Sequence, residues 1–267
     1  MDNISIEYRG DVFRYDIEMR TDIGGREEQQ DSAYAYCDES LAFAIVCDGM
    51  GGTENGAQAS RIAVDYMRSM LKAYLSDPVP GNMVHFLSDS MTALDSRVTA
   101  ELGMQRGGTT AVAVALREDK LFWFSAGDSR LYIFRGGELV QATRDHNYYL
   151  RLNEQLERGA ISQEHYDRES SRGEALISFM GVGGLPVFDL TSHPLQVEDG
   201  DILLLTTDGL YKAIPQDLIG YILRGKEALS IKADKLIRQI AVLKQSVVLD
   251  NTTFALIKIN NRGGANE

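Results

Sequence analysis

Four aspartates stand where short apolar segments begin or end. Asp48 closes LAFAIVCDGMGG (Leu41 to Gly52), in which Leu41 to Cys47 carries only apolar residues. Asp128 follows Leu121 to Ala126 in FWFSAGDSR, Asp208 follows Ile202 to Leu205 in DILLLTTDGL, and Asp250 precedes Thr252 to Ile259. A single Asp-Gly is also a common hairpin turn; the recurrence is what carries weight. If the four ends meet, like charges that close cannot all stay ionised without cations between them. A divalent metal cluster answers that need. Aspartate and backbone carbonyl oxygens are hard ligands that select Mg²⁺ or Mn²⁺ over zinc. The four histidines (His85, His146, His165, His193) are too scattered for a zinc site. Two such ions roughly 3.5–4 Å apart bridge a hydroxide, lower its pKa and clamp a phosphoryl group for in-line attack.

An anionic substrate also needs a cation that is not a metal. Arg26, in the loop TDIGGREEQQD five residues before Asp31, is the candidate, because guanidinium grips phosphate with paired hydrogen bonds. A surface arginine is the alternative. Cys37 and Cys47 lie in apolar strand-like runs without CxxC spacing and read as reduced core residues.

The elements that must position these groups follow from period. Asp11 to Arg20 alternates Phe13, Tyr15, Ile17 and Met19 with mostly polar residues, a half-exposed strand. Ala33 to Tyr36 starts a second strand, which pairs with the doubly buried run Leu41 to Cys47. From Asn55, read as an N-cap, Ala59, Ile62, Ala63, Tyr66, Met70 and Tyr74 share a helical face. SDPVPGN breaks that helix, and a second places Val84, Leu87, Met91, Leu94 and Val98 on one face. Thr109 to Leu116, Leu121 to Ala126 and Leu131 to Phe134 read as an antiparallel meander. Asn147 to Gly159 is helical, Gln163 to Glu174 an exposed mobile segment, and Asp189 to Gln196 and Ile202 to Thr206 strands. Asp199 and Asp201 are plain turn carboxylates in this reading. Ala228 to Gln245 is a helix with Ile231, Leu236, Ile240 and Leu243 inward, and Thr252 to Ile259 a last strand.

Composition bounds the class. The 267 residues are 44% hydrophobic with five prolines, enough for a full core. A net charge of −12 argues against nucleic acid or an anionic membrane as partner. The N-terminus lacks a basic-then-apolar signal pattern, and no apolar run approaches the roughly 18 residues that span a bilayer. A cytoplasmic monomer is expected, built as one domain over 1–267 with a core of 11–260 and a frayed tail at 261–267.

Seven segments fall in the order of one family: GGREEQQD, VCDGMGG, GGTTAVAV, AGDSRLYIF, TRDH, TTDGL and DNTTFALI, spread over Arg26 to Ile257. On them the chain resembles the metal-dependent Ser/Thr protein phosphatases, the protein phosphatase 2C-like group, and particularly its compact bacterial members. The resemblance implies an α+β fold, a four-layer α-β-β-α sandwich of two antiparallel sheets flanked by helices. It implies Mn²⁺ or Mg²⁺ as cofactor, two tight ions and a third, weaker one. Asp48 is then expected to bridge the tight ions, with the Gly49 carbonyl on one of them and Asp208 and Asp250 completing the other. Asp31 is expected to hold water, Arg26 the substrate phosphate, and Asp128, with Asp208, the third ion. Residues 147–180 take the place of a flap over the site.

The activity so implied is hydrolysis of phosphoserine and phosphothreonine in proteins, the targets of a Ser/Thr kinase, by direct attack of a metal-bridging hydroxide. The catalytic set is Arg26, Asp31 and Asp48. Broader activity that includes phosphotyrosine is one alternative, and a catalytically silent phosphoprotein-binding module is the other; the latter would have lost a metal aspartate. Two departures from the family pattern stand out: Gln30 replaces an acid common before Asp31, and Met50 stands where eukaryotic members carry a histidine. Asp145 and His146 are read as structural. Gly107, Gly108 and Thr109 are given a packing role beside the site.

Overall fold

A strand with apolar side chains on both faces needs a layer on each side, and the run Leu41 to Cys47 has both. In the computed structural model, which describes residues 4–9, 13–38, 41–51, 53–77, 81–104 and 107–261, this run lies in a strand at the centre of a four-layer stack. The strands, in chain order, open with β1 (Ile4–Arg9), β2 (Phe13–Asp22), β3 (Asp31–Cys37) and β4 (Ala42–Met50). Helices α1 (Thr53–Ser76) and α2 (Met83–Leu102) follow. Then come β5 (Gly108–Thr109), β6 (Ala111–Arg117), β7 (Lys120–Ala126), β8 (Arg130–Arg135) and β9 (Glu138–Gln141). Helices α3 (Tyr148–Glu157) and α4 (Gln163–Glu169) precede β10 (Asp189–Leu190), β11 (Leu195–Gln196) and β12 (Ile202–Thr206). The chain ends in α5 (Asp208–Tyr211), α6 (Gln216–Arg224), α7 (Leu229–Leu243) and β13 (Thr252–Asn261).

One sheet runs β1-β2-β13-β12-β8-β9 and the other β10-β7-β6-β4-β3, with β11 added to β7 and β5 to β4. Neighbours in both sheets pair antiparallel. Strand period decides which layer each side chain enters. Phe43, Ile45 and Cys47 of β4 face α1 and α2, while Ala42, Ala44 and Val46 face the other sheet with Ile17, Leu203, Leu205 and Ile257. The far face of that second sheet, with Tyr132, Leu204, Phe254 and Leu256, is covered by Leu210, Ile219, Leu223, Leu236 and Ile240 from α5, α6 and α7. The expected α+β sandwich is therefore the observed architecture. No described helix is long and apolar enough to cross a membrane.

Several sequence expectations change. The meander breaks after β7, because β8 pairs with β12 in the opposite sheet rather than with β7. The turn that carries Asp128 is thus a crossing between sheets. Strand β4 runs on through Asp48 and Gly49 to Met50 instead of stopping at Asp48. Helix α1 begins at Thr53, so Asn55 lies inside it and is not its cap, and the buried stripe is Ala59, Ala63, Met67 and Leu71, with Ile62, Tyr66 and Tyr74 on the flank. Ile231 points outward, 47% exposed. Residues 163–172 form α4 and a 3₁₀ turn, with no buried side chain, within the segment read as exposed. The stretch Asp189 to Gln196 is two short strands, and Asp201 is a buried partner of Arg135 at 2.9 and 2.6 Å, not a plain turn residue. Asp11, and all of the tail 261–267 except Asn261, lie outside the described residues.

Candidate active site

Strands β3 and β4 are in a register that sets Asp31 directly opposite Asp48. The backbone of Asp48 is fixed on both sides. Its N–H donates to Thr110 Oγ1 at 2.9 Å, and its carbonyl accepts from the Thr110 N–H and Thr109 Oγ1, each at 2.8 Å. At Gly49 an added Cβ would lie 2.1 Å from the Gly56 carbonyl oxygen and 2.7 Å from that of Gln30. Only glycine lets α1 start this close to the strand.

Asp31 is 1% exposed. Its Oδ2 accepts from Thr207 Oγ1 at 2.9 Å, and Thr207 is itself held by the Thr253 backbone. Its Oδ1 is buried with no hydrogen-bond partner.

Asp208 is the first residue of α5, where a carboxylate also faces the positive end of a helix turn. Its Oδ2 accepts from Lys212 Nζ at 2.9 Å, and its Oδ1 is buried and unpartnered. A Cβ on Gly209 would lie 2.1 Å from the Asn251 carbonyl oxygen, so α5 packs tightly on the chain that leads into β13. Asp250 sits there, with Arg26 Nη2 2.6 Å from its Oδ2. Asn251 ties this strand end to the Arg26 loop: its Oδ1 accepts from the Gln30 N–H at 2.8 Å and its Nδ2 donates to the Ile23 carbonyl at 2.9 Å.

Asp128 lies at the sheet crossing. The Tyr211 hydroxyl donates to its carbonyl at 3.0 Å, and the Arg130 guanidinium stacks 3.6 Å over the Tyr211 ring while gripping Asp145 at 2.8 and 2.6 Å. This clamp holds the Asp128 turn to the helix that begins with Asp208. The structure thus brings Asp31, Asp48, Asp128, Asp208 and Asp250 into one electrostatic neighbourhood, with Arg26 on its edge.

Burial and this crowding together shift the carboxyls. Burial, with Asp208 and Asp250 adding to it against the Thr207 and Thr253 hydroxyls, raises the Asp31 carboxyl to about 7. Burial and then Asp31, Asp208, Asp128 and Asp250 push Asp48 well above the carboxylate range. Burial and Asp208 raise Asp128 to about 6, against the opposing pull of Lys212. Burial also pushes the Cys37 thiol up to about 12 and raises that of Cys47, so neither offers a thiolate nucleophile.

Among the described residues no three His, Cys, Asp or Glu side chains already stand as a ligating set, since Asp250 is turned to Arg26 and Asp208 to Lys212. The donors nonetheless fit hard divalent ions. They are all oxygen, two of them buried without partners, and their mutual repulsion calls for added positive charge. Sequence reasoning missed Lys212, Thr207, Tyr211 and Asn251. Lys212 was discoverable only from knowing that Asp208 opens a helix, which puts the two residues i, i+4 apart on one face. A cleft of about 520 Å³ lined by Glu28, Arg61, Asp65, Tyr66 and Arg97 opens beside the Arg26 loop but includes none of the five aspartates of the site.

Two stacked antiparallel sheets with acidic strand ends gathered at one edge, flanked by helices, define a metal-dependent class of phosphatase fold. A sequence model described as protein phosphatase 2C matches residues 23–230. The chain belongs to the protein phosphatase 2C family. It is 30% identical to a serine/threonine phosphatase stp of Listeria monocytogenes over 223 residues, 81% of this chain and 86% of the relative. The solved Streptococcus agalactiae serine/threonine phosphatase is similar in structure, with a TM-score of 0.74 and 26% identity over 91% of this chain and 99% of that one. The catalytic domain of the phosphatase PstP in complex with two manganese ions has a TM-score of 0.68 at 26% identity, covering 93% of this chain and 99% of that one.

Proposed function

We propose that this chain removes phosphate from phosphoserine and phosphothreonine in proteins, using divalent metal. The observation that carries the reading is the meeting of five aspartates, two with buried unpartnered oxygens, in a fold of the protein phosphatase 2C family. Asp48, the Gly49 carbonyl, Asp208 and Asp250 would hold two Mn²⁺ or Mg²⁺ ions, and Asp128 with Asp208 a third, weaker one. Bound there, the ions would supply a hydroxide nucleophile at neutral pH and neutralise charge on the phosphoryl group.

The chain's own residues do the rest. Arg26, once released from Asp250, grips the phosphate with charge-assisted hydrogen bonds. Asp31, anchored through Oδ2, accepts a hydrogen bond from water at its unpartnered Oδ1 and so orients that water toward the phosphate. Met50 has no ionisable proton, so it does not serve as general acid. Residues 147–180 act as a flap within a single phosphatase domain, a reading supported by Glu174, just beyond α4, which reaches Lys212 at 2.8 Å.

The test is metal-free protein assayed on a phosphothreonine peptide, with Mn²⁺ or Mg²⁺ added back, beside Asp48→Asn. Activity restored by metal in the wild type, and lost with most bound Mn²⁺ in a folded Asp48→Asn, is the expected result. Turnover that persists in strong chelator, or in Asp48→Asn, overturns the reading.

A further inference from the structure

We infer that Lys212 is a built-in competitor of the third metal ion, so that this chain sets the ion's affinity with an ammonium of its own. The inference rests on the proposed metal reading and concerns only its weakest site. Lys212 Nζ lies 2.9 Å from Asp208 Oδ2 and 2.8 Å from Glu174 Oε2. Asp208 and Asp128 are the two side chains assigned to the third ion. Lys212 reaches the first directly, and its charge also acts on the second.

The geometry separates this role from that of a general counter-charge. Asp208 has two differently engaged oxygens: Oδ2 is taken by Lys212, while Oδ1 is buried and unpartnered. The unpartnered oxygen is the one left for a tight ion. The engaged one is available to a further ion only when the ammonium moves away. That movement is open to Lys212, whose side chain is 42% exposed at the end of a four-residue helix. Glu174 is the alternative anchor. It comes from the segment between α4 and β10, so the position of that segment helps decide where the ammonium rests. Lys212 is therefore a positioning residue for the site's charge and touches neither substrate nor nucleophile.

The measurement is Mn²⁺ binding alone, by calorimetry and by the paramagnetic resonance of free Mn²⁺, on metal-stripped protein. Lys212→Met should tighten the weakest Mn²⁺ site about tenfold, because an ion there no longer has to displace the charge-assisted hydrogen bond of the ammonium from Asp208 Oδ2. The two tight sites should move much less. Lys212→Arg, which keeps the charge, should restore weak binding, and Asp128→Ala in the Lys212→Met background should abolish the gain. Circular dichroism and thermal melting establish that each variant folds. An unchanged weak site in folded Lys212→Met overturns the inference, as does an equal shift of all three sites. If the wild type binds no tight Mn²⁺ pair, the metal reading itself fails instead.

Discussion

Arg26 Nη2 lies 2.6 Å from Asp250 Oδ2, joining the residue expected to hold substrate phosphate to one expected to hold metal. Both side chains are about half exposed, at 57% and 42%, so the pair contributes at most about 1 kcal/mol and is readily exchanged. Were Asp250 to hold metal, Arg26 would be free for phosphate. Arg26→Ala should then raise KM for phosphopeptide by roughly tenfold to a hundredfold, the loss of a charge-assisted contact worth about 1.5–3 kcal/mol. Mn²⁺ affinity should match the wild type or exceed it, because a competitor for Asp250 is gone. Steady-state kinetics beside Mn²⁺ titration test both parts. Unaltered KM and kcat would return Arg26 to the surface, and weakened Mn²⁺ binding would contradict the exchange.

Asp95 on α2 fastens the far side of the site. It is 4% exposed and accepts from the backbone N–H groups of Gly181, Gly183 and Gly184 at 2.8, 3.4 and 2.6 Å. Next to them Met180 pairs with Thr109, whose hydroxyl donates to the Asp48 carbonyl. Asp95→Ala leaves these amides unpaired and should cost about 3 kcal/mol of stability, with Asp95→Asn between it and the wild type. Urea unfolding gives the energy, and hydrogen exchange should quicken at residues 181–184 before it does in β4. A wild-type midpoint for Asp95→Ala would show that water replaces the carboxylate without loss.

What was legible in the sequence follows from where the signals are local. Asp48, Asp208 and Asp250 could be found because each follows or precedes an apolar run, and the run itself sets the strand. The α1 and α2 stripes were legible for the same reason, although Asn55 misled: the helix already begins at Thr53, and a good capping residue inside the first turn looks like the start. The sheet crossing at Asp128 was not legible, because a Gly-Asp-Ser-Arg turn reads equally well as a hairpin; only pairing of β8 with β12 distinguishes them. Helix α6 was missed although Ile219, Ile222 and Leu223 stand at helical spacing on its buried face. The contacts of Lys212, Thr207 and Asn251 depend on long-range packing of residues far apart in the chain, which spacing does not report.

Acid stability should report Asp189. Burial would raise its carboxyl, but His146 and the backbone and side chain of Arg144 hold it down at about 2. Arg144 contacts it at 2.7, 2.8 and 2.6 Å, whereas His146 Nε2 at 3.6 Å makes an electrostatic contact too long for a hydrogen bond. A carboxylate whose folded value lies below its unfolded value of 3.8 contributes stability above pH 4 that is lost as pH falls through 2. The pH-dependent difference in unfolding free energy between wild type and Asp189→Asn should therefore be of order 2 kcal/mol from pH 5 upward and shrink between pH 4 and 2. Urea unfolding across that range measures it. A difference that stays constant down to pH 2 would mean that the fold does not lower the Asp189 carboxyl, and one that grows as pH falls would mean that the fold keeps it neutral.

Asp128→Ala separates the weak ion from the tight pair. The pair would be held by Asp48, Gly49, Asp208 and Asp250, none of which comes from the crossing that carries Asp128. Its backbone carbonyl, not its carboxylate, accepts the Tyr211 hydroxyl, so the alanine variant keeps the clamp that joins the turn to α5. Removing a carboxylate that burial and Asp208 already push up to about 6 should leave the fold intact. Calorimetric titration should find the two tight Mn²⁺ ions at close to wild-type affinity and the weak one gone. Turnover on a phosphothreonine peptide should fall, because its alkoxide leaving group needs a proton that the weak ion's water would help deliver. An activated aryl phosphate, whose leaving group needs little protonation, should suffer less. Loss of a tight ion would move Asp128 into the central pair. Equal losses on the two substrates would remove it from leaving-group chemistry, and unchanged phosphopeptide turnover would leave the side chain a turn residue whose only contribution is to the charge balance of the site.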